Sequence, residues 1–124
     1  MYLKKFLLGR TRKIKSKQEI SSLFKTGKFW TCSCFVIIYK CNDLQHDRLG
    51  VIVSRKIGNA VERNRAKRVF RELFRCNIEN NPPFFDLLIK PRPGSDFRDT
   101  IVIKEFFNKW QKEAKISSRK PYTP

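Results

Sequence analysis

Residues 60–77 read AVERNRAKRVFRELFRCN, and this stretch decides what kind of domain the chain can build. With Ala60 at zero and about 100° per residue, Ala66, Val69, Phe70, Leu73 and Phe74 fall in an arc from about 180° to 320°. Asn64, Lys67, Arg68, Arg71 and Arg75 cluster from about 340° through zero to about 80°. The spacing therefore predicts a long helix with one core face and one cationic ridge, Arg63 bordering the ridge near Lys67 and Arg65 lying on the far boundary. Gly58 and Asn59 open the segment, and Asn80-Asn81-Pro82-Pro83 closes it.

A merely solvated helix face ordinarily mixes signs. Here Arg63, Arg65, Lys67, Arg68, Arg71 and Arg75, with Lys56 just upstream, stand against Glu62 and Glu72 alone. Like charges one turn apart, such as Lys67 with Arg71 and Arg71 with Arg75, cost an isolated helix about 0.2–0.5 kcal/mol each. An anionic partner offsets that repulsion. Arginine dominates, and its planar fork suits two-pronged contact with phosphate and stacking on bases better than a lysine ammonium does. Arg55, Lys56, Gly58 and Asn59 add a cationic loop at the helix N-terminus, where backbone N–H groups also favour anions.

The whole chain points the same way. Its 124 residues carry 28 Lys and Arg against 11 Asp and Glu, a formal charge of +17. A field of that size is relieved by a polyanion, either nucleic acid or an anionic membrane. The length accommodates one compact core, which excludes a two-domain enzyme with a cleft between its domains. An apolar fraction of 40% with eleven Phe, two Trp and three Tyr is too rich for a disordered basic tail. No run reaches the roughly 18–20 apolar residues of a membrane span. Phe6-Leu7-Leu8 is too short for a secretory signal, so a cytoplasmic location is expected. The apolar face of the long helix is assigned to the core, so no membrane partner is expected.

Outward from the helix, Ser16 to Thr26 carries Ile20, Leu23 and Phe24 at helical spacing, with Ser16 and Glu19 as a capping box and Gly27 in a left-handed position after it. Phe29 to Lys40 and Leu49 to Ser54 read as paired antiparallel strands joined by the polar stretch Cys41 to Asp47. Phe84 to Lys90 is a further strand and Pro91 to Gly94 a turn; Ile103, Phe106, Phe107, Trp110 and Ala114 share one helical stripe. Residues 1–15 read as a mobile basic arm, 16–114 as the domain, and 115–124 as a frayed basic tail. Helices and strands mixed around one small sheet define an α+β fold. The strand after the long helix can pair in parallel with an earlier one, and its neighbour is left open.

Catalytic and metal chemistry find little support in the residues. Cys32, Cys34, Cys41, Cys76 and His46 are the soft ligands, and Cys32 and Cys34, read as alternate residues of one strand, lack the spacing of a zinc turn. Buried or partly buried free thiols are expected. There is no H-x-x-E motif and no paired carboxylate, and Asp43, Asp47, Asp86, Asp96 and Asp99 are scattered. A nucleic-acid-binding role follows, and a structural RNA-binding protein such as a ribosomal component would use the same charge and arginine face equally well.

The run Gly50-Val51-Ile52-Val53-Ser54-Arg55-Lys56-Ile57-Gly58-Asn59-Ala60-Val61-Glu62-Arg63-Asn64-Arg65-Ala66-Lys67-Arg68-Val69-Phe70-Arg71-Glu72 closely resembles the signature of the bacterial ribonuclease P protein subunit. Glu19 to Gly27 and Asp86 to Gly94 are similar to its first helix and last strand. The resemblance implies a small α-β-β-β-α-β-α sandwich with a mixed sheet and a left-handed crossover, a fold shared with the second domain of a small-subunit ribosomal protein. It implies assistance to a catalytic RNA that removes the 5′ leader of precursor tRNA, with magnesium held mainly by the RNA and no DNA partner. Arg55, Lys56, Arg63, Asn64, Arg65, Lys67, Arg68 and Arg71 become the implied RNA contacts. Phe24 and Phe35 become candidates for a leader-binding cleft between the first helix and the sheet, where exposed aromatics stack on bases.

Overall fold

The computed structural model describes residues 12–119. Helix α1 (Lys17–Thr26) is followed by strands β1 (Lys28–Thr31), β2 (Phe35–Cys41) and β3 (Arg48–Val51), then a single 3-10 turn (Arg55–Ile57), helix α2 (Ala60–Asn77), strand β4 (Phe85–Pro91) and helix α3 (Thr100–Arg119). This is the α-β-β-β-α-β-α order expected. The Ser16 side chain caps α1 by accepting the Glu19 N–H at 3.3 Å. Gly27 is extended instead of left-handed, with φ −78° and ψ 168°. A Cβ there would lie 2.6 Å from the Leu23 carbonyl oxygen, so close approach selects the glycine.

The sheet runs β1-β2-β4-β3. The run from Phe29 to Lys40 is two strands, folded into a hairpin at Cys32-Ser33-Cys34, where the Cys32 N–H reaches the Phe35 carbonyl at 3.0 Å. Cys32 and Cys34 thus flank a turn and do not share a strand face. β4 pairs antiparallel with β2, from Phe35 opposite Pro91 to Cys41 opposite Phe85, and parallel with β3, from Arg48 opposite Asp86 to Val51 opposite Ile89. The expected antiparallel pairing of the 29–40 and 49–54 runs is therefore replaced, because β4 stands between them. Its Leu87, Leu88 and Ile89 are all 0% exposed, and a strand apolar on both faces belongs inside a sheet.

Two cores follow from the two faces. Phe35, Ile37, Leu49, Leu87 and Ile89 meet Phe70, Leu73 and Phe74 of α2 and Ile103, Phe107, Trp110 and Ala114 of α3. On the opposite face Ile38 and Leu88 pack with Leu23 of α1 and with Ile14. Ile14 donates its N–H to the Leu49 carbonyl at 2.9 Å, and Lys13 bridges to Leu49 in parallel fashion. Residues 12–15 are thereby tied to the sheet and are not part of a mobile arm; the rest of that expected arm lies outside the described residues. The expected tail is corrected too, since α3 runs to Arg119 and Lys115 is buried, donating to the Pro83 carbonyl at 2.8 Å and to the Asn81 carbonyl. Residues 120–124 lie outside the description. All four cysteines are free thiols, and Cys41 and Cys76 are exposed where burial was expected.

Two polar groups are built into this frame. Arg48 is the cross-tie: its Nε and Nη2 donate to both oxygens of Asp86 at 2.8 and 2.7 Å, and Nη2 also reaches Glu19 of α1 at 2.8 Å. Asp47, 1% exposed, accepts the Phe85 N–H at 2.7 Å. Burial pushes its carboxyl up to about 6, against the Phe85 N–H and the charges of Lys115, Arg12 and His46. Replacing Arg48 with Met should leave Asp86 and Glu19 without their counter-charge and cost about 3 kcal/mol in urea unfolding. Stability equal to that of the parent would show that the tie contributes nothing.

Candidate nucleic-acid interface

The basic surface starts at the entrance to α2. Asn59 Oδ1 accepts the Glu62 N–H at 2.9 Å, and Glu62 Oε1 accepts the Asn59 N–H at 3.2 Å, a reciprocal cap. Gly58 sits at φ 148°, where a Cβ would come within 2.1 Å of Glu62 Oε1. Arg63 Nη1 donates to the Gly58 carbonyl at 2.7 Å. The Arg63 guanidinium therefore clasps the loop to the helix, while Arg55 and Lys56 stand exposed on the 3-10 turn.

Further along α2 the ridge forms a concavity of about 410 Å³ lined by Asn64, Lys67, Arg68, Arg71, Arg75 and Lys13. No carboxylate of the described residues lines it. Four of the eight expected RNA contacts, Asn64, Lys67, Arg68 and Arg71, are thus gathered there. Arg55, Lys56, Arg63 and Arg65 are not among its lining residues. The geometry adds two groups that the expected contacts lacked. Arg75 lies on the same wheel arc, so periodicity could have supplied it, and it pairs with Glu72. Lys13 comes from a distant segment, and no local pattern announces it.

The aromatic candidates separate. Phe24 of α1 is 39% exposed, whereas Phe35 is 0% exposed, packed edge-on to Phe70 at a 5.4 Å centroid separation. Phe35 is therefore a core residue and not part of a cleft: alternation along β2 sends it with Ile37 toward α2 and α3, and sends Val36 and Ile38 toward α1. Phe29, directly opposite Ile38 in the β1–β2 register and 57% exposed, is the aromatic that shares the α1 side of the sheet. Alternation with the half-buried Trp30 is the signal that could have found it.

Among the described residues, no three His, Cys, Asp or Glu side chains gather into a set that could hold a metal ion, and no helix is long and apolar enough to cross a membrane.

The fold and this surface define a small basic α+β domain with a cationic cradle that no carboxylate of the described residues lines. A family model described as Ribonuclease P matches residues 8–115, and the chain belongs to the bacterial ribonuclease P protein family. The ribonuclease P protein component of Staphylococcus epidermidis is 37% identical over 114 residues, which span 91% of this chain and 98% of that one. The RNase P protein from Thermotoga maritima, solved in complex with 1-(4-fluorophenyl)-2-thiourea, superposes with a TM-score of 0.71 at 33% identity, covering 80% of this chain and 96% of that one. The Staphylococcus aureus RNase P protein superposes with a TM-score of 0.67 at 27% identity, covering 90% and 98% of the two chains.

The two aromatics should respond oppositely to truncation. Phe35→Ala is expected to cost about 3–5 kcal/mol of folding stability. Phe24→Ser should shift urea unfolding by no more than about 0.5 kcal/mol. A Phe24 variant as damaged as the Phe35 variant would return Phe24 to the core.

Proposed function

We propose that the chain binds the catalytic RNA of ribonuclease P through the outward face of α2 and assists RNA-catalysed removal of the 5′ leader from precursor tRNA. The observation that carries this reading is the cradle on α2, where Asn64, Lys67, Arg68 and Arg71 stand together and no carboxylate of the described residues lines the concavity. Neutralising RNA phosphates releases condensed counterions, so the salt dependence of binding at such a surface scales with the number of phosphate contacts it makes. The α1 side of the sheet, with exposed Phe24 and Phe29, is the surface for the single-stranded leader, because base stacking on aromatics tolerates any sequence.

The hydrolytic step belongs to the RNA in this reading. In this reading magnesium is assigned mainly to the RNA, where it would activate water and stabilise the leaving oxygen. The protein's own residues bind and orient. Such a complex would work in the cytoplasm.

The test is cleavage of a precursor tRNA by a bacterial ribonuclease P RNA at low magnesium, with and without the protein. Stimulated release of the leader, giving the mature 5′ end, is expected. Binding to RNA without stimulation, and without dependence on the unpaired 5′ extension, would instead identify a structural RNA-binding protein.

A further inference from the structure

Lys13 lies about fifty residues before the helix whose cations it joins, and the fold goes to some length to put it there. The segment is pinned on β3 by the Ile14 N–H to Leu49 carbonyl bond at 2.9 Å and by burial of Ile14 to 5% exposure. Gly50 makes room for it: a Cβ at that position would stand 3.3 Å from the Ile14 carbonyl oxygen and 2.7 Å from Leu88 Cδ2. With its backbone fixed and its side chain half-buried, Lys13 loses less freedom on meeting a ligand than a lysine on a free tail would.

Charge makes the placement costly in the free protein. Arg75 is paired with Glu72, but among the described residues Lys13, Lys67, Arg68 and Arg71 form no ion pair. Adding a further cation to that group raises its self-repulsion unless an anion enters.

We propose that Lys13 is an RNA-contact residue, held on β3 so that its ammonium closes one side of the α2 cradle, and that the cradle grips backbone phosphates of the ribonuclease P RNA from two elements at once. This rests on the RNA-binding reading of α2 and names a contact that reading did not contain. Ile14 and Gly50 are its positioning residues. Their role is to keep the lysine beside Lys67 and Arg71 before any RNA arrives.

The test measures Kd of the full chain for a bacterial ribonuclease P RNA across a salt series. Lys13→Ala and Lys13→Gln, the second keeping most of the half-buried stem, are compared with Arg71→Ala and with Lys109→Ala, an exposed α3 position outside the cradle. Loss of one phosphate contact should flatten the salt slope by about 0.7–0.9 in both Lys13 variants and in Arg71→Ala. Lys13→Arg should retain the parent slope, and Lys109→Ala should be unchanged. Parent-like slopes for both Lys13 substitutions, with Arg71→Ala still impaired, would overturn the assignment of Lys13 and leave the α2 interface standing. If Arg71→Ala is parent-like as well, the interface falls, and the Lys13 contact with it.

Discussion

Parallel pairing of β3 with β4 is the constraint on which the remaining structure depends. Two adjacent parallel strands cannot be joined by a tight turn, so the chain from Val51 to Phe85 must travel the length of the sheet and return. α2 is that return. Its apolar stripe is committed to the sheet through Phe70, Leu73 and Phe74, which forces Asn64, Lys67, Arg68 and Arg71 outward. The cationic surface is in this sense a by-product of strand order, sharpened by a sequence that places almost no acid on the outer side.

The other face of the sheet is organised by the same pairing. Arg48 begins β3 directly opposite Asp86 of β4, and its guanidinium extends the register into an ion pair that also reaches α1. A single side chain therefore links the strand pair to the helix carrying Phe24. Ile14 enters the small core between α1 and the sheet, so the segment before α1 is held by that core as well. The cationic and aromatic surfaces lie on opposite sides of one sheet, so under the proposed function two parts of an RNA assembly would be held without either surface displacing the other.

Much of this was legible in the residues. The α2 wheel, the Asn59 start, the Pro82-Pro83 stop and the α3 stripe each rest on local periodicity, and they reappear in the structure with little change. Strand order was not legible, because pairing is decided by which strand buries both faces, and that is a property of the assembled sheet. Phe35 misled for a related reason. An aromatic in a strand faces one side or the other according to register, and the turn at Cys32-Ser33-Cys34 sets the register of β2. Lys13 looked like one more charge in a basic arm; only the alternation that buries Ile14 and the bare backbone of Gly50 give it a fixed address.

The central claim, that the outward face of α2 is the surface covered by RNA, is tested most directly by arginine-directed dicarbonyl labelling read by mass spectrometry, with and without a bacterial ribonuclease P RNA. Arg68 and Arg71 should become protected in the complex, while the exposed Arg98, in the loop before α3, remains reactive. Full reactivity of Arg68 and Arg71 in an RNA-saturated sample would contradict the account.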